Sequence, residues 1–172
     1  MRALMFGWLL GVLTPLALGL GMAWLGLLPS RANAPQPEWT KAVSQMALYN
    51  YVARQAPRAV SPFASTENNL MAGLKVFKTE CSGCHGNPGS PSAYGGSFYP
   101  AAPQFADVPP RLPVYELFWI IRNGVRYSGM QAHDRGWDND EAKSDEQIWT
   151  VALFLSQLDT LPRAVNAAWH EK

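Results

Sequence analysis

The chain has 172 residues and a formal net charge of +1. Beyond Ala34, twelve basic residues are balanced by thirteen acidic ones, and this balance argues against a nucleic-acid-binding protein. Neither an internal repeat nor a low-complexity tract is present.

An apolar segment opens the chain. Residues 3–28 carry no charge, and at about 1.5 Å per residue they are long enough to cross a hydrocarbon core of roughly 30 Å. The alternative is a cleaved signal peptide, since Ala32-Asn33-Ala34 matches the small-x-small cleavage pattern. A signal's apolar region is about 7–15 residues, so the sequence favours an uncleaved transmembrane anchor over residues 1–30.

Residues 31–65 are predicted to join this anchor to the next domain. Apolar positions after Pro37 recur with helical spacing and end before Pro57, which predicts one extra helix. We expect this helix to dock on its own domain, and we expect a proline-punctuated linker from Pro57 to Phe63.

A second helix is predicted from Thr66 onward. Thr66 is a helix-capping residue type, and Leu70, Leu74 and Phe77 recur at the i, i+4 and i+7 positions of an amphipathic helix. This helix leads directly into the segment Cys81-Ser82-Gly83-Cys84-His85.

The C-x-x-C-H spacing of that segment is typical of covalent haem attachment. Two intervening residues let both thiols reach one porphyrin edge, and the adjacent imidazole of His85 is then available to the iron. A zinc site would need a second pair of ligands, and a redox dithiol would be expected in a βαβ pattern. The chain has no other cysteine and no such pattern, so the motif predicts one haem c bound through Cys81 and Cys84.

Beyond the motif, residues 86–112 are rich in Gly, Pro and Ser and are predicted to be irregular. Pro113 is predicted to open a helix through Ile121, which stops at Asn123-Gly124.

Met130 follows that helix in a polar, turn-prone segment, where a purely hydrophobic role is less expected for a methionine. It is the leading candidate for the second axial iron ligand. His133 is the main rival, and His170 is a more distant one.

The last predicted helix begins at a capping box, Ser144-Asp145-Glu146-Gln147, and ends at Leu161-Pro162. Residues 163–172 are predicted to be a C-terminal tail. The domain over residues 66–162 is therefore predicted to be all-α, with the haem as its core.

Taken together, these residues resemble a class I-type monohaem cytochrome c of the membrane-anchored bacterial kind. Gly73-x-x-x-Phe77-x-x-x-Cys81 is similar to that family's N-terminal helix, in which the glycine allows close approach of the C-terminal helix, and Trp149 resembles the crossing partner. Pro103-Gln104-Phe105 resembles the element whose proline carbonyl accepts a hydrogen bond from the ligating histidine. Pro100 is a competing candidate for that role.

The resemblance implies a cytochrome c fold with His85 and Met130 on the iron. The family's methionine motif usually continues Met-Pro-Ala-aromatic, whereas this chain has Met130-Gln131-Ala132-His133. The departure removes a rigid residue beside the ligand and brings a titratable group near the haem edge.

By this resemblance the protein transfers single electrons and is not itself an enzyme. We expect it to serve redox partner proteins, as a carrier or as the cytochrome c subunit of a respiratory membrane complex, with no small-molecule substrate. Haem attachment in such proteins occurs outside the bacterial cytoplasmic membrane, which implies a single-pass protein with its haem domain in the periplasm. The alternative is a haem enzyme or gas sensor with an open or displaceable sixth ligand.

Charged groups around the predicted site permit two interpretations. The segment from Asp134 to Glu146 holds six acidic residues against two basic ones, and forms either a solvated face or a docking patch for a basic partner. Arg111, Arg122 and Arg126 are candidates for contact with haem propionates or with a partner.

Overall fold

The structure is a computed structural model that describes residues 2–28, 30–31, 34–135 and 141–171. The chain divides into two units, Met1–Pro35 and Gln36–Lys172. Across the described residues the regular elements are helices, together with one isolated bridge between Asn87 and Ser90. The predicted all-α class is confirmed.

The first unit contains helix α1, Arg2–Trp24. Its described apolar side chains are exposed, as Trp8 and Trp24 illustrate at 77% and 91%. Within the part of the chain that the structure describes, no helix is both long and apolar enough to cross a membrane. The structure therefore does not support the predicted transmembrane helix, and Ala32 and Asn33 of the predicted cleavage pattern lie outside the described residues.

The second unit holds the remaining helices and the hydrophobic core. Helix α3 packs mainly on α7, α6 packs on α7 as well, and α2 contacts α6. In chain order these elements are α2 Glu38–Gln55, α3 Glu67–Val76, a π-helical turn Phe77–Cys81, α4 Ser82–His85, α5 Ala93–Gly96, α6 Val114–Asn123, α7 Glu141–Ser156 and α8 Arg163–His170.

Helix α3 forms as its sequence predicts. The Thr66 side chain caps it by accepting a hydrogen bond of 3.3 Å from the backbone N–H of Asn69. Leu70, Leu74 and Phe77 point into the core and are almost fully buried. The apolar face of α3 therefore packs on α7, and the π-helical turn continues from the end of α3 to the haem-motif cysteines.

Close packing of α3 on α7 depends on Gly73. A Cβ atom at this position would lie 2.6 Å from the carbonyl carbon of Thr150 and 2.9 Å from Cβ of Phe154. Trp149, the predicted crossing partner, instead stacks on Phe118 with a ring-centroid distance of 4.0 Å and an interplanar angle of 14°. The family resemblance therefore identified Gly73 in the contact between α3 and α7, but not Thr150 and Phe154, which lie opposite it on α7.

The predicted capping box at residues 144–147 is wrong. Helix α7 already includes Glu141, so Ser144 lies inside it rather than at its start. Ser144 is buried, and its hydroxyl donates to the backbone oxygen of His133 at 3.0 Å. Its role is thus to connect α7 to the segment after Met130.

Helix α8 lies where the sequence analysis placed a tail. Its Val165 and Trp169 are buried in the same core as α3 and α7. The indole of Trp169 packs edge-on against Phe77 at 5.2 Å and Phe154 at 5.4 Å, measured between ring centroids. Helix α8, Arg163–His170, is therefore part of the folded unit.

Helices α2 and α6 have the predicted extents. Helix α2 begins after Pro37, ends before Pro57 and contacts α6, with Tyr51 edge-on to Trp119 at 5.8 Å. Helix α6 follows Pro113 and stops at Gly124, whose positive φ of 66° glycine adopts readily.

Candidate haem-binding site

The haem motif lies where α3 gives way to the π-helical turn and α4. Cys81 is the last residue of the turn, and Cys84 and His85 belong to α4. The two cysteines are not joined in a disulfide, and their side chains are half-buried. Burial raises the pKa of the Cys81 thiol to about 12, and the Glu80 carboxylate and Cys84 add to this shift.

His85 is oriented by the segment downstream of the motif. Its Nδ1 lies 2.8 Å from the carbonyl oxygen of Pro103, which acts only as an acceptor. Nδ1 therefore carries the proton, and Nε2 keeps a free lone pair. Burial lowers the pKa of His85, and the bond to Pro103 partly offsets the shift, so the imidazole is held neutral. The carbonyl facing His85 is that of Pro103 rather than Pro100.

Phe105 supports the same ring from its face. The two rings are stacked with centroids 4.3 Å apart and planes 9° from parallel. The backbone N–H of Phe105 also donates to the backbone oxygen of His85 at 3.4 Å. Segment 103–105 therefore restrains both the ring and the main chain of His85.

The segment predicted to be irregular, 86–112, contains the short helix α5. Gly95 lies inside this helix, and only glycine fits there, because a Cβ would overlap the carbonyl oxygen of Cys84. The Ser92 hydroxyl accepts from the N–H of Gly95 at 2.9 Å and donates to the carbonyl of Gly83 at 2.6 Å. Helix α5 thus packs directly on the backbone of the haem motif.

Met130 closes a tight turn after α6. Its carbonyl accepts from the N–H of Val125 at 2.9 Å, and its own N–H donates to the Ser128 hydroxyl at 3.1 Å. The Met130 side chain is half-buried and packs against the hydrophobic core. Its pairing with His85 on one iron stays a prediction.

The two rival ligands have different surroundings. His133 is tied to α6 by its N–H, which donates to the carbonyl of Arg122 at 3.0 Å. Burial lowers the pKa of His133, and the carboxylate of Glu80 partly opposes the shift. The His170 ring lies on α8 and is exposed, with Nδ1 donating to the carbonyl of Asn166 at 2.9 Å.

The candidate charged groups are not equivalent. Arg122 forms an ion pair with Asp145, its Nε lying 2.9 Å from Oδ1, and this pair links α6 to α7. Arg111 and Arg126 are exposed. The acidic segment around Asp145 includes residues 136–140, which lie outside the described residues.

The side chains fit a covalently held haem. Two cysteines are separated by two residues, and an imidazole with an unprotonated Nε2 follows them directly. Met130, the predicted second ligand, is half-buried and packs against the core. Among the described residues no group of three or more His, Cys, Asp or Glu side chains is arranged to bind a metal ion by itself.

Comparison with known proteins shows the family. The family described as cytochrome c oxidase, cbb3-type, subunit III matches residues 68–155, just over half of the chain. No curated protein and no solved structure matches. The chain therefore belongs to this family of haem-based electron-transfer domains, and it carries covalently bound haem c at its Cys81-x-x-Cys84-His85 motif.

Proposed function

We propose that this protein is a one-electron carrier in which His85 and Met130 are the axial ligands of the haem iron. The observation that carries the proposal is the hydrogen bond of 2.8 Å between Nδ1 of His85 and the carbonyl oxygen of Pro103. It fixes the tautomer that leaves Nε2 free for a metal. In a chain of this family, that arrangement favours His85 as a permanent ligand.

The chain's own residues hold the site rather than carry out the chemistry. When bound, the haem supplies exchange of one electron between the ferric and ferrous states. The Pro103 carbonyl keeps the proton on Nδ1 of His85 and raises the basicity of Nε2. Phe105 covers one face of the imidazole and excludes water from it. A second permanent ligand leaves the iron no position for a substrate.

Met130 is the better-supported second ligand. Its turn is closed by one hydrogen bond to the Val125 backbone and one to the Ser128 hydroxyl, and its side chain packs on the core rather than extending into solvent. Thioether ligation raises the reduction potential relative to ligation by two imidazoles, which suits a carrier on the oxidising side of a respiratory chain.

Absorption spectra of the purified holoprotein and of a Met130→Ala variant test the ligand assignment. We expect c-type reduced bands in both proteins, and the weak near-infrared iron–thioether band only in the wild type. A His133→Ala variant is the control and should retain the band. If the wild type lacks this band and the reduced form binds carbon monoxide at neutral pH, the iron has an open or displaceable position, and a haem enzyme or gas sensor becomes the better interpretation.

The partners are proposed from the family's description, which names a subunit of a respiratory oxidase. We infer that redox proteins of a membrane respiratory complex exchange electrons with this chain, either in transient encounters or within one assembly. Mild detergent extraction followed by size-exclusion chromatography distinguishes these cases. Co-elution with other haem-containing membrane subunits supports a fixed subunit, and elution as an isolated small cytochrome supports a mobile carrier.

We also propose a periplasmic haem domain that residues 3–28 attach to the bacterial cytoplasmic membrane. The attachment rests on the sequence, in which these residues carry no charge over a length sufficient to cross a bilayer. Alkaline carbonate extraction of membranes tests it, together with protease treatment of spheroplasts. Release by carbonate would refute the anchor, and protection of the haem domain in spheroplasts would refute the periplasmic location.

A further inference from the structure

Both the nitrogen and the oxygen of the Gln104 side-chain amide form hydrogen bonds, and these bonds connect Gln104 to Cys84, Ser92 and Ala102. Its Nε2 donates to the carbonyl oxygen of Cys84 at 3.1 Å and to that of Ala102 at 3.0 Å. Its Oε1 accepts from the backbone N–H of Ser92 at 2.7 Å. The three distances lie in the range of well-formed hydrogen bonds.

Gln104 also lies between the two residues that contact the His85 ring. The preceding carbonyl, that of Pro103, accepts from Nδ1 of His85, and the following ring, that of Phe105, stacks on the imidazole. The side chain of Gln104 ties this segment back to Cys84, the residue immediately before His85. Gly86 leaves the room for it, because a Cβ at Gly86 would lie 2.5 Å from Oε1 of Gln104.

We propose that Gln104 is a positioning residue for the axial imidazole. Gln104 fixes the separation between the Pro103 carbonyl and the haem-motif backbone, and it thereby sets the strength of the hydrogen bond to Nδ1 of His85. The proposal rests on His85 being an iron ligand, as inferred above. Gln104 acts only through Pro103 and Cys84 and does not touch the iron.

The expected effect on the haem has a definite sign. An imidazole that donates a strong bond from Nδ1 is a more basic ligand and stabilises the ferric state. If the Gln104 amide is removed, the Pro103 segment is free to move away from Cys84, and the bond to His85 weakens. The ligand then becomes less basic, so the ferrous state gains relative to the ferric state and the reduction potential rises.

Redox titration of the holoprotein tests this inference with the variants Gln104→Leu and Gln157→Leu. The second is a matched control, since the Gln157 side chain accepts a hydrogen bond of 3.0 Å from the Thr160 hydroxyl, outside the haem-motif segment. We expect Gln104→Leu to favour the ferrous state at least threefold, a rise of about 28 mV when a tenfold change corresponds to 59 mV. Exchange of the His85 Nδ1 proton with solvent should also be at least tenfold faster. Gln157→Leu should change neither quantity.

Other outcomes decide against the proposal. If Gln104→Leu lowers the free energy of unfolding but leaves the reduction potential and the proton exchange at wild-type values, Gln104 only stabilises the loop and the proposal is overturned. Should Gln104→Leu fail to retain haem, Gln104→Asn, which keeps an amide but is one methylene shorter, must raise the potential in the same direction. A wild-type spectrum without a histidine-ligated iron would instead refute the proposed function itself, and the spectrum is recorded before any variant is compared.

Discussion

Replacing Gly73 by alanine is expected to destabilise the domain, although alanine is the better helix former. In an open helix position Gly→Ala gains about 1 kcal/mol. At Gly73 the new methyl would lie 2.6 Å from the carbonyl carbon of Thr150 and 2.9 Å from Cβ of Phe154. Both contacts belong to α7, and the closer one is to its backbone, so no side-chain rotation relieves them. Helix α3 must shift away from α7 instead.

This shift would loosen the largest helix contact of the domain. Overpacking of a core costs typically about 1–3 kcal/mol, and the contacts at Gly73 involve main-chain atoms, which place the cost at the upper end. After subtraction of the helix-propensity gain, we expect a net loss of about 2 kcal/mol in the free energy of unfolding. Urea denaturation of the oxidised holoprotein measures this loss, with the visible haem absorption and far-ultraviolet circular dichroism as probes.

Gly96→Ala is the matched control. Gly96 lies at the end of the short helix α5, and a Cβ there would have no neighbour within 4 Å. The control should be as stable as the wild type or slightly more stable. If Gly73→Ala is equally stable, the close approach of α3 and α7 does not require glycine, and the reasoning above is refuted.

Three further predictions concern the core and the region after Met130. Trp169→Ala should lower the free energy of unfolding by about 3–5 kcal/mol in urea melts, because a buried indole is lost. His170→Ala, on the exposed side of α8, is the control and should change this free energy by less than about 0.5 kcal/mol. Because burial lowers the pKa of His133, the unfolded chain binds a proton below about pH 6.5 that the folded domain does not, and the free energy of unfolding should fall as the pH drops below 6.5. His133→Asn should flatten this slope in melts recorded from pH 7.5 to pH 5. An unchanged slope would contradict the prediction. Arg122→Ala should lower the free energy of unfolding by no more than about 1 kcal/mol, and by less at high salt, since the ion pair with Asp145 is partly exposed. A larger decrease that does not change across a salt series would show that the pair is a core contact.

Local signals explain what the sequence predicted well. The Thr66 cap, the apolar stripe of α3 and the glycine after α6 each act within one or two turns of the chain, and the structure has all three. The C-x-x-C-H motif carries its own chemistry, so Cys81 and Cys84 needed no tertiary information.

The errors arose where tertiary contacts outweigh local pattern. Ser144 matches a capping box, but its hydroxyl bonds to the carbonyl of His133, which no local rule anticipates. Gly95 matches a helix breaker, yet it is required for close contact with Cys84. Helix α8 spans only eight residues and lacks a capping side chain at Pro162, and its burial against Phe77 shows what the i, i+4 spacing of Val165 and Trp169 only indicates.

Gln104 was absent from the predicted site for a similar reason. Its neighbours were recognised because they match a known element, whereas a glutamine between them has no distinctive pattern. Its three hydrogen bonds reach residues two, twelve and twenty positions earlier in the chain. Such a bridge is visible only once the loop is folded.

The position of α8 in the chain has a consequence for how the haem protein matures. Phe77 begins the turn that ends at Cys81, and one of its aromatic neighbours, Trp169, is synthesised after every other described helix of the domain is complete. During synthesis the haem motif therefore emerges before the aromatic packing around Phe77 is complete, and α8 supplies the last part of it.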